Sequence, residues 1–189
     1  MGARTLWNWM RSRTLMHGQS TTQVNQSSPN IEESPLNTGA LEPRWQANWD
    51  QLCSHLNADG YPSLSDIEKV WINARSLIDF VNNGGAISYF YNSGADNWID
   101  CRRALEALNA IDVRLLVEQV AALFGENVPD DVETRNAIIE SWDTDHARDA
   151  MLEDVDRKLF GRLDALEAAL EVFLEKHDLI DQAGTRKSS

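Results

Sequence analysis

The chain has 189 residues, of which 42% are hydrophobic, so it can bury the core of one domain of ordinary size. Its 30 acidic and 17 basic residues give a formal net charge of −13. This acidity argues against direct binding to nucleic acid or to anionic membranes, because both need a basic surface, and it suits a surface that attracts basic proteins. No apolar run approaches the roughly 18 residues of a membrane-spanning helix.

The first 40 residues are predicted to form a disordered or loosely attached tail. Between Gly18 and Gly39 the sequence is rich in Ser, Thr, Gln and Asn, so burial cannot offset the entropy lost on ordering. The first thirty residues carry three Arg and no acid, which fits an amphipathic targeting segment and equally fits foreign sequence or a mis-assigned start. They lack the apolar core of a secretory signal, and we assign them no function. We expect the folded domain to span residues 41–182 and residues 183–189 to be a disordered C-terminus.

From Pro43 onward the apolar residues recur with a helical period. A first helix ends at Asp59-Gly60, and a capping box of Ser65 and Glu68 opens a second, which we expect to stop at the Asn-Gly-Gly run 83–85. The stretch 86–91 fits either a helix or a short strand. Further helices are predicted from about 98, 112 and 129, and over about 145–160 and 162–180. The sequence therefore predicts a single all-α domain of seven or eight helices, with these side chains in its core: Trp71, Leu77, Trp98, Leu105, Leu116, Val120 and Phe124.

Regularly spaced carboxylates mark the last two predicted helices. At 100° per residue, one set lies within an arc of about 80° on the last helix, beside its apolar stripe. That set comprises Asp164, Glu167, Glu171, Glu175 and Asp178. The preceding helix carries a second set in a similar arc, made of Asp145, Asp149, Glu153 and Asp156.

These nine carboxylates are expected to be solvent-exposed and to form one or two anionic ridges. Acids four residues apart destabilise a helix, so stability alone does not account for the pattern. On the last helix the spacing is about one charge per 4–5 Å, comparable with the phosphates of a DNA strand. Two interpretations remain open, a solvated face that serves solubility and a ridge that binds a basic protein.

The sequence contains no recognisable catalytic or metal-binding pattern. Cys53 and Cys101 lack metal-ligand spacing and are expected to be buried thiols in a reducing compartment, so we expect a cytoplasmic protein. Asp143-x-Asp145-His146 lacks the remaining ligands of a calcium loop, and there is neither a phosphate loop with Lys nor a nucleophile elbow. We expect a non-enzymatic protein with no catalytic residue, no metal and no cofactor.

The string N-G-G-A-I-S-Y-F-Y-N-S-G at 83–94, the string A-L-E-A-L-N-A-I at 104–111 and an apolar helix ending at Phe124 resemble the bacterial DNA-mimic protein family. That domain family, otherwise of unknown function, shows an N-G-G-aromatic motif. Asn109 stands where the family has Gly, and the resemblance covers about residues 66–178. The motif residues are expected to be structural, and here they are Asn83, Gly84, Gly85, Tyr89, Phe90, Asn92 and Gly94.

The resemblance implies a small acidic α-helical homodimer whose carboxylates imitate the phosphates of a duplex. Such a protein occupies the DNA-binding surface of a basic partner, such as a transcription factor or nucleoid protein. The alternative is an immunity- or antitoxin-like protein that neutralises a single basic toxin with the same acids. No binding residue is taken from the family, since the nine carboxylates come from the helical geometry of this sequence.

Overall fold

A computed structural model of the chain describes residues 45–180, and the predicted tail and C-terminus lie outside them. The described residues form seven α-helices and no strand, which confirms the all-α prediction. The helices are α1 (Gln46–Asp59), α2 (Asp66–Tyr91), α3 (Trp98–Ala107), α4 (Ile111–Ala121), α5 (Val132–Glu140), α6 (His146–Phe160) and α7 (Leu163–Lys176). Short 3₁₀ helices lie at Tyr61–Ser63, Ser93–Asn97 and Ala122–Phe124. Within residues 45–180, no helix combines the length and hydropathy needed to cross a membrane.

Helix α2 is the central element, and α3, α5, α6 and α7 all pack against it. The predicted capping box begins it. The Ser65 side chain accepts from the Glu68 backbone N–H at 3.3 Å, and the Glu68 carboxylate accepts from the Ser65 backbone N–H at 2.8 Å. These two bonds satisfy backbone donors that would otherwise lack partners at the start of the helix. The helix that supports the rest of the domain therefore begins where its sequence predicts.

The Asn-Gly-Gly run bends α2 rather than ending it, which corrects the expected helix end. Gly84 and Gly85 leave helical geometry, and Gly85 takes a φ of +74°, a left-handed conformation that favours glycine. The helix then resumes through 86–91, so the strand alternative for this stretch is wrong. Tyr89 and Phe90 are fully buried there and pack edge to face with Trp98, which gives the second half of α2 its own apolar anchor.

The core lies around α2 and is largely the predicted one. Trp71, Leu77, Leu105 and Val120 are at most 2% exposed, and Trp98 and Leu116 are also buried. Phe124 is only partly buried. It ends a 3₁₀ helix at the edge of the core, where its ring packs between Phe90 at 5.3 Å and Trp142 at 5.8 Å.

Candidate partner-binding surface

On α6, three of the four predicted carboxylates are exposed: Asp145, Asp149 and Glu153. Asp145 also has a structural role, because it is the N-cap and its side chain accepts from the backbone N–H groups of Ala147 at 2.9 Å and Arg148 at 3.3 Å. A carboxylate at this position is further favoured by the positive end of the helix dipole. Asp149 and Glu153 have no capping role. Asp149 lies 3.9 Å from the Arg148 Nε atom, and its side chain is still 54% exposed.

Asp156 does not fit the predicted ridge, since it is only partly exposed and serves the fold. Its carboxylate accepts from the backbone N–H of Ala86 at 2.7 Å, where the bend in α2 has freed that donor. The same carboxylate fills the space beside Gly85, so close that a Cβ there would lie 2.2 Å from its Oδ2 atom. Asp156 therefore joins α6 to the bend in α2, and the expectation that it is a freely exposed charge is wrong.

Glu167 on α7 also turns toward the protein. It lies 2.6 Å from the Arg75 guanidinium of α2, which is itself paired with Asp79 at 2.8 Å. The helical period already indicated this contact, because Glu167 lies only about 20° around the helix from the buried Leu174. Glu167 is an ion-pair partner of a largely buried arginine, and the expectation that it stands free in solvent is wrong.

The remaining α7 carboxylates differ among themselves. Glu171 and Glu175 are partly exposed and have interaction partners, whereas Asp164 and Asp178 are exposed. Asp178 lies beyond the helix, which ends at Lys176 and not near Ile180 as predicted. Its φ of +57° and the bond from the Leu179 N–H to the Leu174 carbonyl form a terminating turn. The α7 set is thus not a single uninterrupted ridge.

Cations near the two predicted ridges are engaged by other acids. Arg157 and Lys158 pair with Asp154, and Arg162 pairs with Asp112. Arg148 is the exception, since its Nε atom lies 3.9 Å from the Asp149 carboxylate. Arg157, Lys158 and Arg162 form no ion pair with Asp149, Glu153 or Asp164.

A larger concentration of exposed charge includes part of the predicted α6 set and extends beyond it toward α4. Residues 126–153, called the acidic segment below, run from the end of α4 through α5 into α6. All nine of their acidic side chains are exposed. Only the last three belong to the predicted set. The nine are Glu126, Asp130, Asp131, Glu133, Glu140, Asp143, Asp145, Asp149 and Glu153.

Two of these acids are held in place by bonds that keep them charged or oriented. Asp131 is the N-cap of α5, and the Thr134 backbone N–H that it accepts at 2.8 Å lowers the pKa of its carboxyl group. Glu140 accepts from the Tyr91 hydroxyl at 2.7 Å. Part of this charge is therefore fixed in position relative to the helices, as a rigid binding surface requires.

The segment's two basic residues are withdrawn from its surface. Arg135 is fully buried, and its guanidinium donates to the backbone carbonyls of Phe90, Asn92, Pro129 and Asp130 at 2.8–2.9 Å. It also donates to Asp96 at 2.5 Å. A charge buried this deeply needs such a complete set of acceptors.

Arg148 is withdrawn in a different way. Its side chain is 16% exposed, its guanidinium lies 5.1 Å from the centre of the Trp142 ring, and it donates to the Asp143 carbonyl. Stacking on an aromatic face is a favourable position for a guanidinium. The acidic segment therefore presents nine exposed carboxylates, while neither of its own cations is exposed.

The residues quoted for the family resemblance lie at the bend in α2 and in the packing that follows it. Asn83 and Gly84 are exposed at the bend, and Tyr89 and Phe90 lie in the core. A Cβ at Gly94 would lie 2.5 Å from the Phe80 ring, so glycine is required by close packing there. The Asn92 side chain donates to the Ser88 carbonyl at 2.8 Å, while the Asn92 carbonyl accepts from Arg135.

The thiols are poor candidates for chemistry. Cys53 and Cys101 are buried, and desolvation raises the pKa of each thiol to about 12, so both stay protonated at neutral pH. Within residues 45–180, no group of three or more His, Cys, Asp or Glu side chains is placed to hold a metal ion.

The fold and its exposed carboxylates define an acidic α-helical protein. Residues 62–177, more than half of the chain, match the DMP19-like protein family, and the chain belongs to that family. DMP19 is a DNA-mimic protein family, and membership is compatible with such a role for this chain. No curated protein and no solved structure matches the chain.

Proposed function

We propose that this protein is a DNA mimic, a non-enzymatic binding protein that occupies the DNA-binding surface of a basic protein in the cytoplasm. One observation carries the proposal: the acidic segment exposes all nine of its carboxylates and withdraws both of its arginines. A surface in which anions are concentrated and cations removed resembles the phosphate backbone in the property that DNA-binding proteins use for attraction.

The charge of the whole described domain supports the same proposal. Residues 45–180 contain 26 acidic and 11 basic residues, so this part of the chain has a more negative net charge than the whole. A charge imbalance of this size steers basic proteins toward the domain and repels nucleic acid. The partner class is therefore a basic DNA-binding protein, such as a transcription factor or nucleoid protein.

A homodimer is part of the proposal. Three exposed apolar side chains offer surface for self-association, Ile111 and Leu115 on α4 and Phe160 at the end of α6. The Arg162–Asp112 ion pair holds the start of α4 beside the turn that follows α6. The mass of the full chain in light scattering tests this part of the proposal.

Charge reversal tests the proposed function. The variant combines Asp143→Lys, Asp149→Lys and Glu153→Lys, which avoids the capping Asp145 as well as Asp156 and Glu167, whose reversal would disturb the fold. A matched control reverses the exposed Asp50, Asp59 and Asp66, so both variants change the net charge by the same amount. Basic proteins captured from lysate at low salt are purified and then displaced with duplex DNA.

The mimic should lose capture in the first variant and retain it in the control. Wild-type binding should weaken steeply between low and high salt, because exposed charges are screened beyond about 8–10 Å near physiological ionic strength. Duplex DNA should displace the captured partner. A single tight partner that DNA does not displace would favour the immunity-protein alternative instead.

A further inference from the structure

An open groove of about 630 Å³ lies between α3, the end of α4 and the loop that precedes α5. Trp98, Ala121 and Val128 provide apolar lining. Ile99 also lines the groove and is 52% exposed, more than its neighbours in the core. The groove is large enough for one or two side chains of another protein.

The mouth of this groove is anionic on one side and neutralised on the other. Glu118 is paired with Arg102 and Arg114, each at 2.8 Å, so its charge is already neutralised. Glu126 and Asp130 are exposed, and within residues 45–180 no basic side chain forms an ion pair with either. Both belong to the acidic segment, so the groove opens directly beside the surface proposed to imitate DNA.

We propose that this groove receives an apolar side chain of the basic partner, from a segment in which Lys or Arg residues flank that side chain. The proposal rests on the proposed function, because it concerns the partner that the acidic segment attracts. The lining and the charges together define the occupant. The apolar floor of the groove suits a Leu-like side chain, and the carboxylates of Glu126 and Asp130 at the mouth suit the basic residues that flank it.

The groove supplies what charge alone lacks. Attraction between carboxylates and a basic surface acts on every basic protein and is weakened by salt. An apolar side chain buried in a fitted site adds a short-range contribution that salt does not screen. DNA offers no equivalent of such a groove, so the anchor would let a mimic prefer one basic protein over others that bind the same duplex.

Two synthetic peptides test the inference on the full chain. Each has six Lys or Arg residues around a central position, which is Leu in one and Ala in the other. Fluorescence anisotropy measures their affinities at low and high salt. The Leu peptide should bind at least tenfold more tightly, because Leu carries three more carbon atoms than Ala and burial of each CH₂ group raises the affinity about fourfold. The ratio should persist at high salt.

A matched pair of variants locates the site. Ile99→Ser removes an exposed β-branched side chain from the groove, and Val172→Ser removes one from α7, where Val172 is 64% exposed. Neither side chain belongs to the core, so both variants should fold. The preference for Leu should disappear in the first variant and survive in the second.

The outcomes separate this inference from the proposed function. Equal, salt-sensitive binding of both peptides would overturn the anchor and leave the electrostatic attraction standing. Binding of neither peptide, by wild type and by the variant Arg4→Ala, Arg11→Ala, Arg13→Ala alike, would overturn both proposals. If wild type binds neither and the variant Arg4→Ala, Arg11→Ala, Arg13→Ala binds both, the chain's own basic segment occupies the groove, and a partner does not.

Discussion

Removal of the Arg135 guanidinium should be the most damaging single change in the domain that leaves the apolar core intact. The side chain donates five hydrogen bonds, four of them to backbone carbonyls, and it is fully buried. These acceptors lie at the end of α2, in the 3₁₀ helix that follows and at the turn before α5. Arg135→Met keeps much of the length and volume but donates none of these bonds.

The cost follows from what remains behind. Four carbonyls and the Asp96 carboxylate lose their donor. The Asp96 side chain is 33% exposed, so water can replace part of its bond, but buried carbonyls left without a donor cost about 1–3 kcal/mol each, and the total should be about 3–5 kcal/mol. Burial already raises the pKa of Asp96 although Arg135 opposes the rise, so removal of the guanidinium should raise that pKa further. Against a typical stability of about 5–15 kcal/mol, this loss is a large fraction of the total.

Thermal unfolding followed by circular dichroism measures the effect. A domain of this size should lose roughly 12–20 °C in Tm, at about 4 °C per kcal/mol. The control is Arg103→Met, which should change Tm little. Arg103 is 72% exposed and, among residues 45–180, its ion pair is with Asp100 on its own helix. Adding Asp96→Asn to Arg135→Met should recover part of the loss. A Tm within about 2 °C of wild type for Arg135→Met would refute the argument.

Two further changes test packing and titration. Gly94→Ala should destabilise the domain by about 1–3 kcal/mol in urea unfolding, because the new Cβ would overlap the buried Phe80 ring. In the comparison variant Gly125→Ala the new Cβ has no atom within 4 Å, so that variant carries only the backbone strain of a φ of +89°. The pKa of the Asp131 carboxyl group is lower in the folded domain than in the unfolded chain, so the charged group stabilises the fold. This stabilisation is complete above the unfolded pKa of about 4 and is lost as the pH falls through the lower, folded pKa. Asp131→Asn retains a good N-cap and should remove that part of the acid dependence in urea titrations.

Most of the fold could be predicted from the sequence, because local signals agreed with tertiary packing. The Ser65–Glu68 capping box, the end of α1 at Gly60 and the inward face of α3 each depend on neighbours within one or two helical turns. The bend at Gly84 was the exception. A Gly-Gly run normally ends a helix, and only the burial of Tyr89 and Phe90, together with the bond from Ala86 to Asp156, explains why α2 continues.

The site was harder to predict because periodicity describes one helix at a time. The helical period placed Glu167 beside the apolar stripe of its helix, but it could not show that Arg75 of another helix would face it. Likewise, Asp156 had the spacing of a surface acid and became the partner of a backbone N–H about 70 residues away. The acidic segment has nine acidic residues and two arginines in its sequence, but nothing local indicated that Arg135 would be buried.

The burial of Arg135 connects the fold to the proposed function. Arginines at the surface of the acidic segment would pair with the carboxylates around them and reduce the field that attracts a basic partner. Placed inside, the same guanidinium holds the turn that carries Asp130 and Asp131 and leaves their carboxylates exposed. Its bonds to the Pro129 and Asp130 carbonyls also fix the loop that forms one wall of the groove. A single buried cation thus stabilises the scaffold while the charge of its surface stays negative.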